Sequence, residues 1–142
     1  FGSHEVTREE VLDFALKFDP QPFHLSDEAA AKTHFGRIAA SGWHTCAMVM
    51  AMLVEHMQAH PQAGLGGVGI DELRWLKPVY PGDVLGVRLT CKEINPRANA
   101  AHGEVRWDCQ VTNQKGQVAA QYDVLTMVAK TWPPAKAKEA AE

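Results

Sequence analysis

The chain has 142 residues, one domain's worth of sequence and enough to bury a core without cross-links. Hydrophobic residues make up 46% and the formal net charge is −3, so neither the basic footprint of a nucleic-acid binder nor a cationic membrane face is present. Cys46, Cys91 and Cys109 are odd in number and widely spaced with no CxxC pair, which fits reduced, buried thiols of a cytoplasmic protein better than a disulfide framework.

The first elements read as helical. The polar start leads into helix rather than a signal peptide. Thr7 followed by Glu10 has capping-box spacing, and Val11, Leu12, Phe14, Ala15, Leu16 and Phe18 then recur at helical intervals. Asp19-Pro20 ends this helix, because a residue before proline is pushed out of the α region. Ser26 can cap a short second helix running to about Thr33, with Asp27 and Glu28 in its first turn, and Phe35-Gly36 closes it. The run "SGWHTCAMVMAMLVEHMQAHP" is apolar nearly all round and stops at Pro61. That pattern predicts a buried central helix, with Met48, Met50, Met52 and Met57 as core filler. The uncharged stretch Ile38 to Val54 is too short and too punctuated for a membrane span.

After Pro61 the period changes from helical to alternating. "GVGIDELRWLKPVYPGD" reads as a strand and then a turn at Pro81-Gly82-Asp83. "VLGVRLTCKEI" sets Leu85, Val87, Leu89 and Cys91 on one face, and "GEVRWDCQVT" does the same with Val105, Trp107, Cys109 and Val111. "NQKG" is a turn, "QVAAQYDVLTMVAK" a last strand, and residues 133–142 a polar tail. The economical architecture is α+β: a curved antiparallel sheet wrapped around one apolar helix, within a single domain over residues 1–132.

Two stretches can carry chemistry. "FDPQPFH" holds Asp19 and His24 with Pro20 and Pro22 between them, which stiffens the segment. Fully extended, the acid and the imidazole would lie roughly 16–18 Å apart, so the segment must curl for both to reach one substrate. Taken alone, Asp19 is also an ordinary helix end and His24 an ordinary residue ahead of a cap. "SGW", residues 41–43, stands at the head of the long helix, where free N–H groups and the dipole's positive end can hold an oxyanion. The seven histidines include no HExxH and no His/Cys ligand set, so no metal is expected.

"FDPQPFHLSDEAAAKTHFGRIAASGWH" resembles the signature of the MaoC-like dehydratases, the (R)-specific enoyl-CoA hydratases, which run Asp-x-Asn-Pro-x-His, an acidic helix, and His-Gly or Ser-Gly. "ELRWLKPVYPGDVL" is similar to that family's strand Phe-x-x-Pro-Val-x-x-Gly-Asp-x-Val. The resemblance covers about residues 5 to 130. It implies a hot dog fold, a homodimer or dimer of dimers joined through sheet edges, and a CoA or acyl-carrier thioester as substrate. It also implies Asp19 and His24 as the catalytic pair, the Gly42 N–H as the oxyanion donor, and Gln21, Ser41 and Trp43 beside the substrate. Gln21 stands where the family often has Asn, and Ser41 where it often has His. The activity implied is reversible hydration of trans-2-enoyl thioesters to (R)-3-hydroxyacyl thioesters, with no cofactor. A hot dog thioesterase is the first alternative. It would often carry a carboxylate inside the central helix, yet here "TCAMVMAMLV" precedes Glu55. A non-catalytic acyl-binding subunit is the second. Fold alone decides among none of these.

Overall fold

The computed structural model describes residues 1–61, 63–98 and 100–130; the polar tail expected at 133–142 lies outside them. A two-residue strand β1 (His4–Glu5) precedes α1 (Arg8–Phe18), α2 (Pro22–Leu25), α3 (Asp27–Ala31) and α4 (Gly42–Ala59). Four long strands follow: β2 (Gly64–Trp75), β3 (Val84–Pro96), β4 (His102–Thr112) and β5 (Val118–Ala129). They form a curled five-stranded antiparallel sheet in the order β1-β3-β4-β5-β2. This is the hot dog fold that the family resemblance implies.

Local chemistry accounts for the element ends. The Thr7 hydroxyl accepts from the Glu10 N–H at 3.2 Å, and the Glu10 carboxylate accepts from the Thr7 N–H at 3.2 Å, completing the capping box of α1. Ser26 caps α3 through the Ala29 N–H. Pro81 and Gly82 fill the middle of the turn before β3: the Asp83 N–H donates to the Tyr80 carbonyl, and Gly82 takes φ +95°, which a side chain would resist.

The core is built between α4 and the sheet. Met48, Val49 and Met52 pack against Leu85 and Val87 of β3, Cys109 and Val111 of β4, and Ala120 and Tyr122 of β5, as the alternation in the sequence requires. Val11 of α1 and Ile38 close the cluster from the side.

Three expectations need correction. The long helix is not buried all round: Trp43, Ala47, Met50, Val54 and Met57 form one exposed stripe, and only Met48 and Met52 of the methionines are core. A five-stranded sheet curls round only part of a helix, so the opposite face stays open in a single chain. Cys91 is exposed rather than buried, because the inward face of β3 ends near Leu89. The segment 18–24 is not all loop, since Pro22–Leu25 forms a short helix with Pro22 in its first turn, where a missing N–H costs nothing. Among the described residues, no helix is long and apolar enough to cross a membrane.

The outer face of the sheet is charged. Register sets Asp108, Asp123 and Asp71 abreast on β4, β5 and β2. Lys92 holds both Asp123 oxygens at 3.0 and 2.9 Å, and Arg106 reaches Asp71 at 2.9 Å and Asp123 at 3.1 Å. The two cations offset a row of like charges that would otherwise repel.

Candidate active site

Asp19 is the residue that ends α1; its N–H closes the last turn on the Ala15 carbonyl at 2.9 Å. Pro20 then sits at the centre of a very tight turn, with the Gln21 N–H donating to the Asp19 carbonyl at 2.8 Å. Pro22 starts α2, and its turn lifts His24 back towards Asp19. The segment curls as the pair requires: His24 Nε2 lies 3.3 Å from Asp19 Oδ2.

The His24 tautomer follows from its other nitrogen. Nδ1 lies 2.6 Å from the Ala39 carbonyl oxygen, which can only accept, so Nδ1 carries the proton. The carbonyl is pinned on both sides, because the Ile38 N–H donates to Asp27 Oδ1 and the Ala40 N–H to the Val79 carbonyl. Phe23 packs edge-on against the ring at 4.6 Å, and His24 as a whole is 5% exposed. In the neutral imidazole, Nε2 therefore presents a lone pair beside the Asp19 carboxylate.

Asp19 receives two neutral donors. The Gln21 amide reaches Oδ1 at 2.7 Å and the Ser41 hydroxyl reaches Oδ2 at 2.7 Å. Burial pushes the carboxyl up, but these two bonds, joined by the charge of His24 when its ring is protonated, outweigh it and hold Asp19 below its ordinary value. The acid thus stays ionised, ready to accept a proton.

Ser41 has a second consequence. It is the N-cap residue of α4, and a serine there normally uses its oxygen to accept from an early N–H of the helix. Here the hydroxyl is engaged with Asp19, and α4 begins with no side-chain cap. The first N–H groups and the positive end of an 18-residue helix are left for a ligand oxygen.

These parts meet in one cleft of about 430 Å³. Asp19, Gln21, His24, Gly42 and Trp43 all line it, and Ser41 lies buried behind Asp19. Ala40, Thr45, Val79 and Ala119 form a small-residue floor, while Trp75, Leu76 and Lys77 form the far wall. All six residues singled out in the sequence are therefore brought together, although the Gln21 and Ser41 donors face Asp19 rather than open space. Sequence reasoning missed the Ala39 carbonyl and Trp75. The first is main chain and has no sequence signal; the second was visible only as part of "ELRWLKP".

The thiols stand apart from this chemistry. Burial pushes Cys109 up to about 11 and raises Cys46 as well, so both stay protonated at neutral pH.

Comparison with known proteins agrees with the geometry. A family model described as "MaoC like domain" matches residues 2–113. The chain is 31% identical over 97 residues to the uncharacterized protein YdeM of Bacillus subtilis, covering 68% of each. It is 32% identical over 99 residues to a 3-hydroxybutyryl-CoA dehydratase of Methylorubrum extorquens, covering 68% of this chain and 60% of that protein. The crystal structure of a MaoC-like dehydratase from Rhodospirillum rubrum superposes with a TM-score of 0.84 at 39% identity, over 92% of this chain and 88% of that one. By a match over most of its length, and with the curled sheet of its solved relative, the chain belongs to the MaoC-like dehydratase family.

Proposed function

We propose that the protein catalyses the reversible hydration of trans-2-enoyl-CoA thioesters to (R)-3-hydroxyacyl-CoA thioesters. The observation that carries this reading is the pair of acceptors 3.3 Å apart, Asp19 Oδ2 and His24 Nε2. Two acceptors side by side call for a partner that donates two protons, and water is that partner. A water so held turns its lone pairs towards the cleft.

The placement of these groups supports the following course. The thioester oxygen sits at the uncapped start of α4, against the Gly42 N–H, which puts C3 before the water. As the O–C3 bond forms, the π electrons move onto the thioester as an enolate, and the helix N-terminus stabilises its oxygen. One water proton passes to the Asp19–His24 pair, and the pair returns one proton to C2 as the enolate collapses. The sum is addition of one water. The thioester itself acidifies C2, and Asp19, kept ionised, is available to accept. Gln21 and Ser41 act through Asp19, fixing its orientation and its charge.

We also infer a homodimer. β2 is an edge strand with Leu65, Val68 and Ile70 about half exposed, and the open stripe of α4 adds Met50, Val54 and Met57. A long apolar edge beside an apolar helix face is unusual for a lone chain, and a second copy pairing along β2 would cover both.

The test is direct. Crotonyl-CoA is offered, loss of the conjugated absorbance is followed, and free thiol is assayed in parallel. Hydration without thiol release supports the hydratase. Thiol release would instead make the protein a thioesterase, and binding without either would make it a passive subunit. Light scattering on the purified protein checks the dimer, and a monomeric mass at micromolar concentration would refute it.

A further inference from the structure

Gly42 and Trp75 are in unusually close contact. A Cβ added at position 42 would fall 2.4 Å from Trp75 Cε2, 2.6 Å from Cδ2 and 2.8 Å from Cζ2. The backbone at Gly42 has an ordinary φ, so neither a turn nor a left-handed conformation demands glycine there. Its N–H would survive replacement by alanine. What excludes a side chain at 42 is the indole of Trp75.

That indole has a fixed base. Trp75 is the last residue of β2 and pairs with Ala120 on β5. The next two N–H groups, of Leu76 and Lys77, both donate to the Ala119 carbonyl, at 2.8 and 3.1 Å. From this anchored base the side chain crosses to α4, where it meets the Trp43 ring edge-on at 5.2 Å. It thereby closes the gap between the sheet and the first turns of the helix, beside the small-residue floor of the cleft.

We propose that Trp75 is the specificity-determining wall of the acyl site and restricts the enzyme to short enoyl groups of about crotonyl size. This rests on the hydratase reading above. A thioester oxygen held at Gly42 brings the acyl group directly alongside the indole. A short chain fits over the floor of Ala40, Val79 and Ala119. A longer one would run into the indole, which spans from the end of β2 to the first turn of α4.

The experiment compares wild type, Trp75→Phe and Trp75→Ala by kcat/KM for crotonyl-CoA and trans-2-octenoyl-CoA, with circular dichroism and Tm as folding checks. Wild type is expected to prefer crotonyl-CoA, and the octenoyl-to-crotonyl ratio to rise at least tenfold in Trp75→Ala and by a smaller factor in Trp75→Phe. If Trp75→Ala does not fold, Trp75→Phe alone decides. Gly42→Ala provides the second arm: at least tenfold loss of activity in the wild-type background, and recovery when combined with Trp75→Phe or Trp75→Ala. A wild type that hydrates both substrates equally well, or a ratio unmoved in folded variants, overturns the proposal and leaves the hydratase reading intact. A wild type that hydrates neither substrate overturns that reading, and this proposal with it.

Discussion

Asp19 and Asp123 are two well-satisfied carboxylates with opposite fates. Asp123, on the outer face of the sheet, is held by Lys92 and Arg106, two permanent cations. The Lys92 bond is the larger cause of its low pKa, ahead of Arg106 and against the opposing effect of burial. Asp19, in the cleft, is held by a neutral amide and a neutral hydroxyl, with an imidazole as its neighbour. Both acids are ionised at neutral pH. A carboxylate pinned by full charges has its electrons committed and only stabilises the sheet. One oriented by neutral donors, with an imidazole beside it, is free for the proton transfer proposed above.

The largest expected effect breaks that contrast at Asp19. Asp19→Asn should lower kcat/KM for crotonyl-CoA by at least about 100-fold, in the range of a lost general base, while Asp123→Asn stays within about twofold of wild type. Steady-state absorbance assays on both variants check this. Equal losses would mean that the two acids differ less than their surroundings indicate.

Ser41→Ala sharpens the same comparison with a smaller expected effect. One of the two donors to Asp19 disappears, so kcat/KM should fall about tenfold. The sign of the pH effect is fixed as well. A carboxylate that loses a donor is less stable as the anion, so its pKa rises and the acidic limb of the pH–rate profile moves to higher pH. A drop in rate with an unmoved limb would assign Ser41 a purely structural role.

Asp123→Asn should be read in stability. It leaves Lys92 and Arg106 facing each other without their shared acid, and Tm is expected to fall by a few degrees. Because Lys92 is well exposed, the difference from wild type should shrink in high salt.

The smallest effect concerns His44, in the first turn of α4. It is 6% exposed, stacks on Phe14 of α1 at 4.8 Å, and its Nδ1 has no hydrogen-bond partner among the described residues. Burial pushes it below its ordinary 6.5; Glu10 opposes this and His4 adds to it. The unfolded chain therefore takes up a proton near pH 6.5 that the folded one refuses. The stability tied to His44 is complete above that pH and is lost as pH falls from it through the lower folded value. His44→Phe keeps the stack and removes the titration, so the wild-type loss of Tm between pH 7.5 and 5.5 should be larger than that of the variant.

Much of this molecule was legible in its sequence because the signals are local. Thr7 and Glu10 are three apart, and their capping box formed. Leu85 and Val87, or Cys109 and Val111, are two apart, and they share the inner face of the sheet. The curl of 19–24 followed from two prolines and the distance they had to save. What escaped depends on groups far apart in the chain or on the backbone itself. Trp75 meets Gly42 across 33 positions, and no spacing rule connects them. Full apolar coverage of α4 was read as burial, because composition cannot distinguish a face covered by its own sheet from one left open. The bulges that break the pairing of the glycine-rich β2 with β5 are equally invisible to an alternation pattern.

The bond from His24 Nδ1 to the Ala39 carbonyl has one more implication, for how this site could change over generations. The group that selects the tautomer is a peptide oxygen, present whatever residue occupies position 39. No single codon change deletes it, and an alanine scan passes over it in silence. Gln21 and Ser41 can drift and retune the acid, but the proton on the imidazole is written into the main chain. Substitution can therefore vary how strongly Asp19 holds its charge while the nitrogen offered to the cleft remains the same one.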